Sequence, residues 1–114
     1  MATHLITGRH GEDLAAGFLL GNGYRIVARN VRCGRDEIDL IAFDIRRAMT
    51  VFVEVKARSK TSSRYPVSAA VDRRKRKCMS RAVSAWVTKH DDDGPGRIDI
   101  VCVADGRVVQ HIMD

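Results

Sequence analysis

The sequence predicts a single α/β domain spanning residues 1–114, with elements in the order α-β-β-β-α-β-β. Three observations lead there. Its 114 residues suffice for one two- or three-layer core and are too few for two ordinary domains. An apolar fraction of 45% can fill that core while 30% charged residues cover it, which argues against a disordered chain. Finally, runs with strand-like alternation are set off by two stretches with helical spacing of apolar residues.

Gly8 and Gly11 precede a first helix expected over residues 9 to 22, where Ala15, Ala16 and Leu19 fall near one face. Gly21 and Gly23 supply its stop. YRIVARNV from Tyr24 reads as a strand, RDEIDLIAF from Arg35 to Phe43 as a second, and TVFVEVKAR from Thr50 to Arg58 as a third. Asp44 to Met49 forms the turn between the last two, and three successive strands imply an antiparallel meander. KTSSRYPVS is a polar connection whose Pro66 and Ser68 suit the start of a second helix. That helix is expected to reach Lys89 with Val71, Cys78, Ala82 and Trp86 as its apolar stripe, and Trp86 belongs to the core. DDDGPG, Asp91 to Gly96, ends it. Strands over Arg97–Ala104 and Val108–Ile112 follow, joined across a hairpin turn at Asp105 and Gly106.

The formal charge is +6, and it is unevenly placed. Between Lys56 and Arg81 stand ten basic residues and one acid, Asp72, a local net of +9, while the rest of the chain is net negative. A polyanion suits such a segment, because each phosphate neutralised releases counterions. Solubility alone, acidic lipid and acidic protein are the competing explanations. Cys33, Cys78 and Cys102 are odd in number and lack metal-ligand spacing, which points to reduced thiols in a cytoplasmic setting. No apolar run approaches the roughly 20 residues needed to cross a bilayer, so no membrane anchor is expected.

The second and third strands carry the chemistry. In DEIDLI, alternation puts Ile38 and Leu40 on one face and Glu37 and Asp39 on the other; in VFVEVK it puts Phe52, Glu54 and Lys56 opposite Val51, Val53 and Val55. Asp39 and Glu54 can then stand side by side with Lys56 next to them. Two nearby carboxylates repel, and burial penalises both, so a bound cation is one way to keep them ionised. Oxygen ligands suit Mg²⁺ or Mn²⁺, with the Val55 backbone carbonyl as a further donor. Lys56 would orient an attacking water or offset charge on a phosphoryl oxygen. The same spacing also fits cross-strand salt bridges on a solvated face, although Phe52 on that face argues that it is covered.

Glu12 falls on the inward face of the first helix, where it either completes the acidic site or acts near the helix start. Lys75 interrupts the apolar stripe of the second helix; its stem snorkels to water, or its ammonium reaches the acidic cluster or a phosphate. Arg73, Arg74, Arg76, Lys77 and Arg81 surround it and suit general backbone contact, with Arg58, Lys60 and Arg64 extending that surface. The histidines at 4, 10, 90 and 111 match no zinc spacing, GRHGED is no phosphate loop, and Asp91, Asp92 and Asp93 lack the other ligands of a calcium loop. Tyr24, Tyr65 and Trp86 are too scattered for a base-stacking platform.

GRHGEDLAAGFLLGNGYRIVARNVR, DEIDLIAFD, VFVEVKAR and the later RRKRK, taken in order, resemble the small bacterial YraN-type (UPF0102) family, from Gly8 to about Ile112. The resemblance implies a restriction-endonuclease-like fold, distantly similar to Holliday-junction resolvases. In that fold a helix carries an acid and the strands carry Asp followed by Glu-x-Lys. The matching positions are Glu12, Asp39, Glu54 and Lys56, with Lys75 in support. One departure is Asp36, where the family pattern commonly has Gly; it alters the turn or the local field.

The expected function is divalent-metal-dependent hydrolysis of a DNA phosphodiester at a branched, damaged or single-stranded structure. A non-catalytic nucleic-acid-binding module of the same fold is the chief alternative, and a structural or protein-interaction domain is a further one. DNA is preferred to RNA as partner, and a homodimer would suit two strands or a junction.

Overall fold

The computed structural model describes residues 3–58, 73–92 and 94–113. Helix α1 (Thr3–Leu20) leads into β1 (Tyr24–Cys33), β2 (Asp36–Asp44) and β3 (Met49–Arg58); helix α2 (Arg73–Lys89) precedes β4 (Gly96–Ala104) and β5 (Arg107–Met113). One sheet holds all five strands in sequence order, antiparallel except for the β3–β4 pair, which is parallel. A parallel neighbour requires a crossover, and α2 belongs to that connection. This mixed sheet between two helices is the restriction-endonuclease-like topology that the resemblance implies.

Strand alternation divides the core between the two faces. Ala15, Ala16 and Leu19 of α1 pack on Leu40, Ala42, Val51, Val53, Val101 and Val103. Met79, Ala82 and Trp86 of α2 pack on Ile41 and Phe52 across the sheet. Phe52 is fully buried and meets Trp86 edge-on at 5.4 Å, so the face that carries Glu54 is covered, as the position of Phe52 in the sequence suggests.

Three sequence expectations need correction or limits. Helix α1 begins at Thr3, not near residue 9, and Gly8 and Gly11 lie inside it. Gly11 is a packing residue: a Cβ there would stand 3.0 Å from the Ala57 Cβ, so only glycine lets α1 approach β3 this closely. Ile38 does not share a face with Leu40; it packs with Ile41, Phe52 and the α2 side chains, whereas Leu40 packs under α1. The alternation of β2 therefore breaks at Asp39. The expected helix start at Pro66 and Ser68, together with Val71, lies outside the described residues.

Elsewhere the turn chemistry matches. Gly21 N–H donates to the Gly17 carbonyl at 3.1 Å and Gly23 takes φ 87°, closing α1. Asp105 and Gly106 both have positive φ, 55° and 73°, as a two-residue hairpin turn requires. Cys33, Cys78 and Cys102 form no disulfide. Among the described residues no helix is long and apolar enough to cross a membrane.

Candidate functional site

The β2–β3 ladder runs from Asp44↔Met49 to Leu40↔Val53 and stops. Beyond that point β2 stays paired with β1 as far as Cys33↔Asp36, and β3 stays paired with β4 as far as Arg58↔Ala104. The sheet thus forks, and the next register positions are Asp39 and Glu54. Forking exposes backbone donors, which need partners. Val55 N–H, the second amide past the last rung, donates to Asp39 Oδ2 at 2.9 Å. An aspartate is just long enough to span the gap that the missing ladder leaves.

Asp39 and Glu54 come together there, as their spacing predicts. Burial, then the Glu54 charge, pushes the Asp39 carboxyl up to about 7, against the partial relief of the Val55 hydrogen bond. Glu54 is buried, and its Oε1 meets Lys75 Nζ at 3.0 Å and Lys56 Nζ at 3.5 Å. Lys75 therefore reaches the acidic cluster rather than snorkelling away. Burial lowers its proton affinity, but the hydrogen bond and charge of Glu54 and the charge of Asp39 outweigh this and leave it raised. Glu12 is half-buried and reaches Asp39 through its charge, a weaker influence on that carboxyl than burial, Glu54 or the Val55 amide. Among the described residues no group of three or more His, Cys, Asp and Glu side chains is placed to hold one ion. The acidic core of the site is a pair with two ammonium groups on one member.

Asp39 and Glu54 are the two residues here that could hold a hard divalent ion. Two carboxylates forced together, one of them holding its proton to near neutrality, gain from a cation between them, and Mg²⁺ takes one or two carboxylates with water and phosphate for the rest. An open cleft of about 310 Å³ leads to Asp39, walled by Arg35, Asp36, Glu37, Lys75, Cys78 and Met79. Sequence reasoning misses Arg35, Cys78 and Met79 as walls, because helix-to-strand proximity carries no local signal.

The basic residues divide. Arg76 and Lys77 are exposed on α2 beside Lys75. Arg81, expected to contact phosphate, makes a bidentate pair with Asp36, Nε to Oδ2 at 2.8 Å and Nη2 to Oδ1 at 3.0 Å. That pair, chiefly its hydrogen bond from Arg81, holds Asp36 below the usual carboxylate range. The departure at Asp36 thus ties α2 to β2. Arg58, Arg73 and Arg74 sit on described backbone, but their side chains, and Lys60 and Arg64 entirely, lie outside the described residues.

A second polar cluster is absent from the sequence expectations. Asp99, fully buried, accepts from Arg97 Nε at 2.7 Å and Nη2 at 2.9 Å and pairs with His111 Nε2 at 2.7 Å. Arg97 also reaches Asp44 Oδ2 at 3.1 Å and the Tyr24 hydroxyl at 2.8 Å. The signal that points to it is Asp99 inside the aliphatic run IDIVCVA, where an unpaired acid would be costly.

The model of the uncharacterised protein family UPF0102 matches residues 11–103. The chain belongs to the UPF0102 family. A UPF0102 protein of Halorhodospira halophila is 44% identical over 111 residues, covering 94% of this chain and 84% of that one. One from Paenarthrobacter aurescens is 42% identical over 106 residues, covering 92% and 85%. One from Chlorobium limicola is 38% identical over 96 residues, covering 84% and 73%. The UPF0102 match thus takes in α1 from Gly11, the fork and the acidic pair.

Proposed function

We propose that this UPF0102 chain is a cytoplasmic nucleic-acid-binding domain of nuclease-like fold that grips the sugar-phosphate backbone, DNA ahead of RNA, at the fork of its sheet. The observation that supports this most is the Lys75–Glu54 pair at 3.0 Å, which docks the basic helix directly over the acidic pair. A phosphate entering the cleft meets Lys75, with Arg76 and Lys77 exposed on the same helix. Interactions of this kind position a strand without reading its bases.

The test is fluorescence anisotropy on single-stranded, duplex, flap and four-way-junction DNA across a salt series. Removing Arg76 and Lys77 together should flatten the plot of log affinity against log salt by about one unit for each phosphate that is no longer neutralised. An unchanged slope would remove α2 from the interface.

A second reading, divalent-metal-dependent phosphodiester hydrolysis, is favoured by the rise of Asp39 to about 7. Asp39 and Glu54 would hold Mg²⁺ or Mn²⁺, with the Val55 carbonyl and Glu12 as further oxygen donors. An ion bound there supplies Lewis acidity at a phosphoryl oxygen. Lys56, held by Glu54, orients water or offsets charge on the ester. DNA cleavage in Mn²⁺ that is lost in both Asp39→Asn and Lys56→Ala supports hydrolysis; cleavage equal in wild type and variants counts against it.

A further inference from the structure

Behind the acidic pair lies a smaller cavity of about 130 Å³ between α2 and the β4–β5 side of the sheet. Its floor is Met79, Ile98, Ile100 and Ile112, all apolar, while Glu54 forms a wall and Lys75, Arg76 and Ser80 complete the lining. Lys75 lines both this cavity and the cleft that leads to Asp39, so the two spaces share one ammonium group as their partition.

We infer that this cavity takes the base of an unpaired nucleotide whose phosphate lies at Lys75. The inference rests on the nucleic-acid reading above and narrows its ligand. Size, surface chemistry and position agree. An apolar cavity of roughly 150 Å³ accommodates a benzene ring, so the volume suits one planar ring system. The isoleucine and methionine floor offers dispersion attraction to either face of such a ring and no fixed pattern of donors and acceptors, which makes the site tolerant of base identity. The charged groups beside that floor include two cations, Lys75 and Arg76, so the ligand joins an apolar flat part to an anionic group a short distance away. A nucleotide has that construction. A base inside a duplex is stacked and paired and cannot enter without being extruded, so the cavity selects strands that are already open.

The test compares the binding of a labelled thymidine strand with that of a sugar-phosphate strand of equal length lacking bases, at one salt concentration. The base-bearing strand should bind about tenfold tighter or more. Ile112→Trp, which fills the cavity, should abolish that preference and leave affinity for the base-free strand unchanged. Ser80 is exposed and also lines the cavity, so Ser80→Leu should have the same effect without risk to the core. Equal binding of both strands by the wild-type protein overturns the base site and leaves backbone binding intact. A preference that survives both variants also overturns it, and failure of both strands to bind overturns both readings.

Discussion

On the α1 side of the sheet Asp99 is buried against Arg97 and His111; on the α2 side Asp39 is half-buried beside the buried Glu54. Both clusters take carboxylates out of water, yet they are balanced in opposite senses. Burial pushes Asp99 up, but the hydrogen bonds of His111 and Arg97 outweigh it and hold the carboxyl below the usual range. Asp44 behaves alike: burial raises it, and Arg47 and Arg97 bring it down. Asp39 has the Val55 amide as its main relief against burial and a like charge, and it ends high. A cluster whose acids are all held low holds a fold together. One in which an acid is held high, while the neighbouring ammonium groups sit on its partner, is a candidate for a functional site.

The contrast can be tested by removing one member at a time. Asp99→Ala takes the main partner from Arg97 and from His111 and should lower unfolding free energy by about 3–5 kcal/mol, read from a shift in the urea midpoint. Gly11→Ala pushes α1 off Ala57 and should cost about 1–3 kcal/mol by overpacking, near the fork but without touching a charge. Asp39→Asn keeps an oxygen for Val55 N–H and relieves repulsion, so at pH 8 it should gain ~1 kcal/mol; a loss as large as that at Asp99 would place Asp39 among the structural acids.

The pH dependence has opposite signs at the two clusters. The folded chain keeps the Asp39 proton to about pH 7, whereas the unfolded chain releases it near 3.8, so this group erodes stability as pH rises across that window and then levels off. Asp99 and Asp44, held low, contribute stability that is lost as pH falls below about 3.8. Thermal melts from pH 4 to 8 should show a downward trend that Asp39→Asn removes. The smallest effect concerns Asp36→Gly, which frees Arg81 from its bidentate partner. It should steepen the salt dependence of DNA binding by about one unit while leaving the acidic pair unchanged.

What can be read from the residues follows the range of the forces involved. The strands β1 to β5 and the stop of α1 come from alternation and turn chemistry, which are local, and they lie within a residue or two of their expected limits at most ends. The start of α1 is misplaced by any reading of Gly8 and Gly11 as breakers, because the need for Gly11 comes from Ala57 on a distant strand. Asp39, Glu54, Lys56 and Lys75 are recoverable because each is a charge set among apolar neighbours. Ile38 falls on the wrong side because alternation presumes a continuous ladder, and the ladder between β2 and β3 ends at Leu40. The Arg97–Asp99–His111 network spans β4 and β5 and closes on Tyr24 and Asp44, partners that no spacing rule connects.

The parting of β2 from β3 also bears on how a ligand arrives. Each arm is anchored by a neighbour on its outer side, β1 for one and β4 for the other, so the notch between them is held open by the scaffold itself. On the nucleic-acid reading proposed above, a strand settling there would displace no rung of the sheet and would spend little ordering entropy on shaping the receptor.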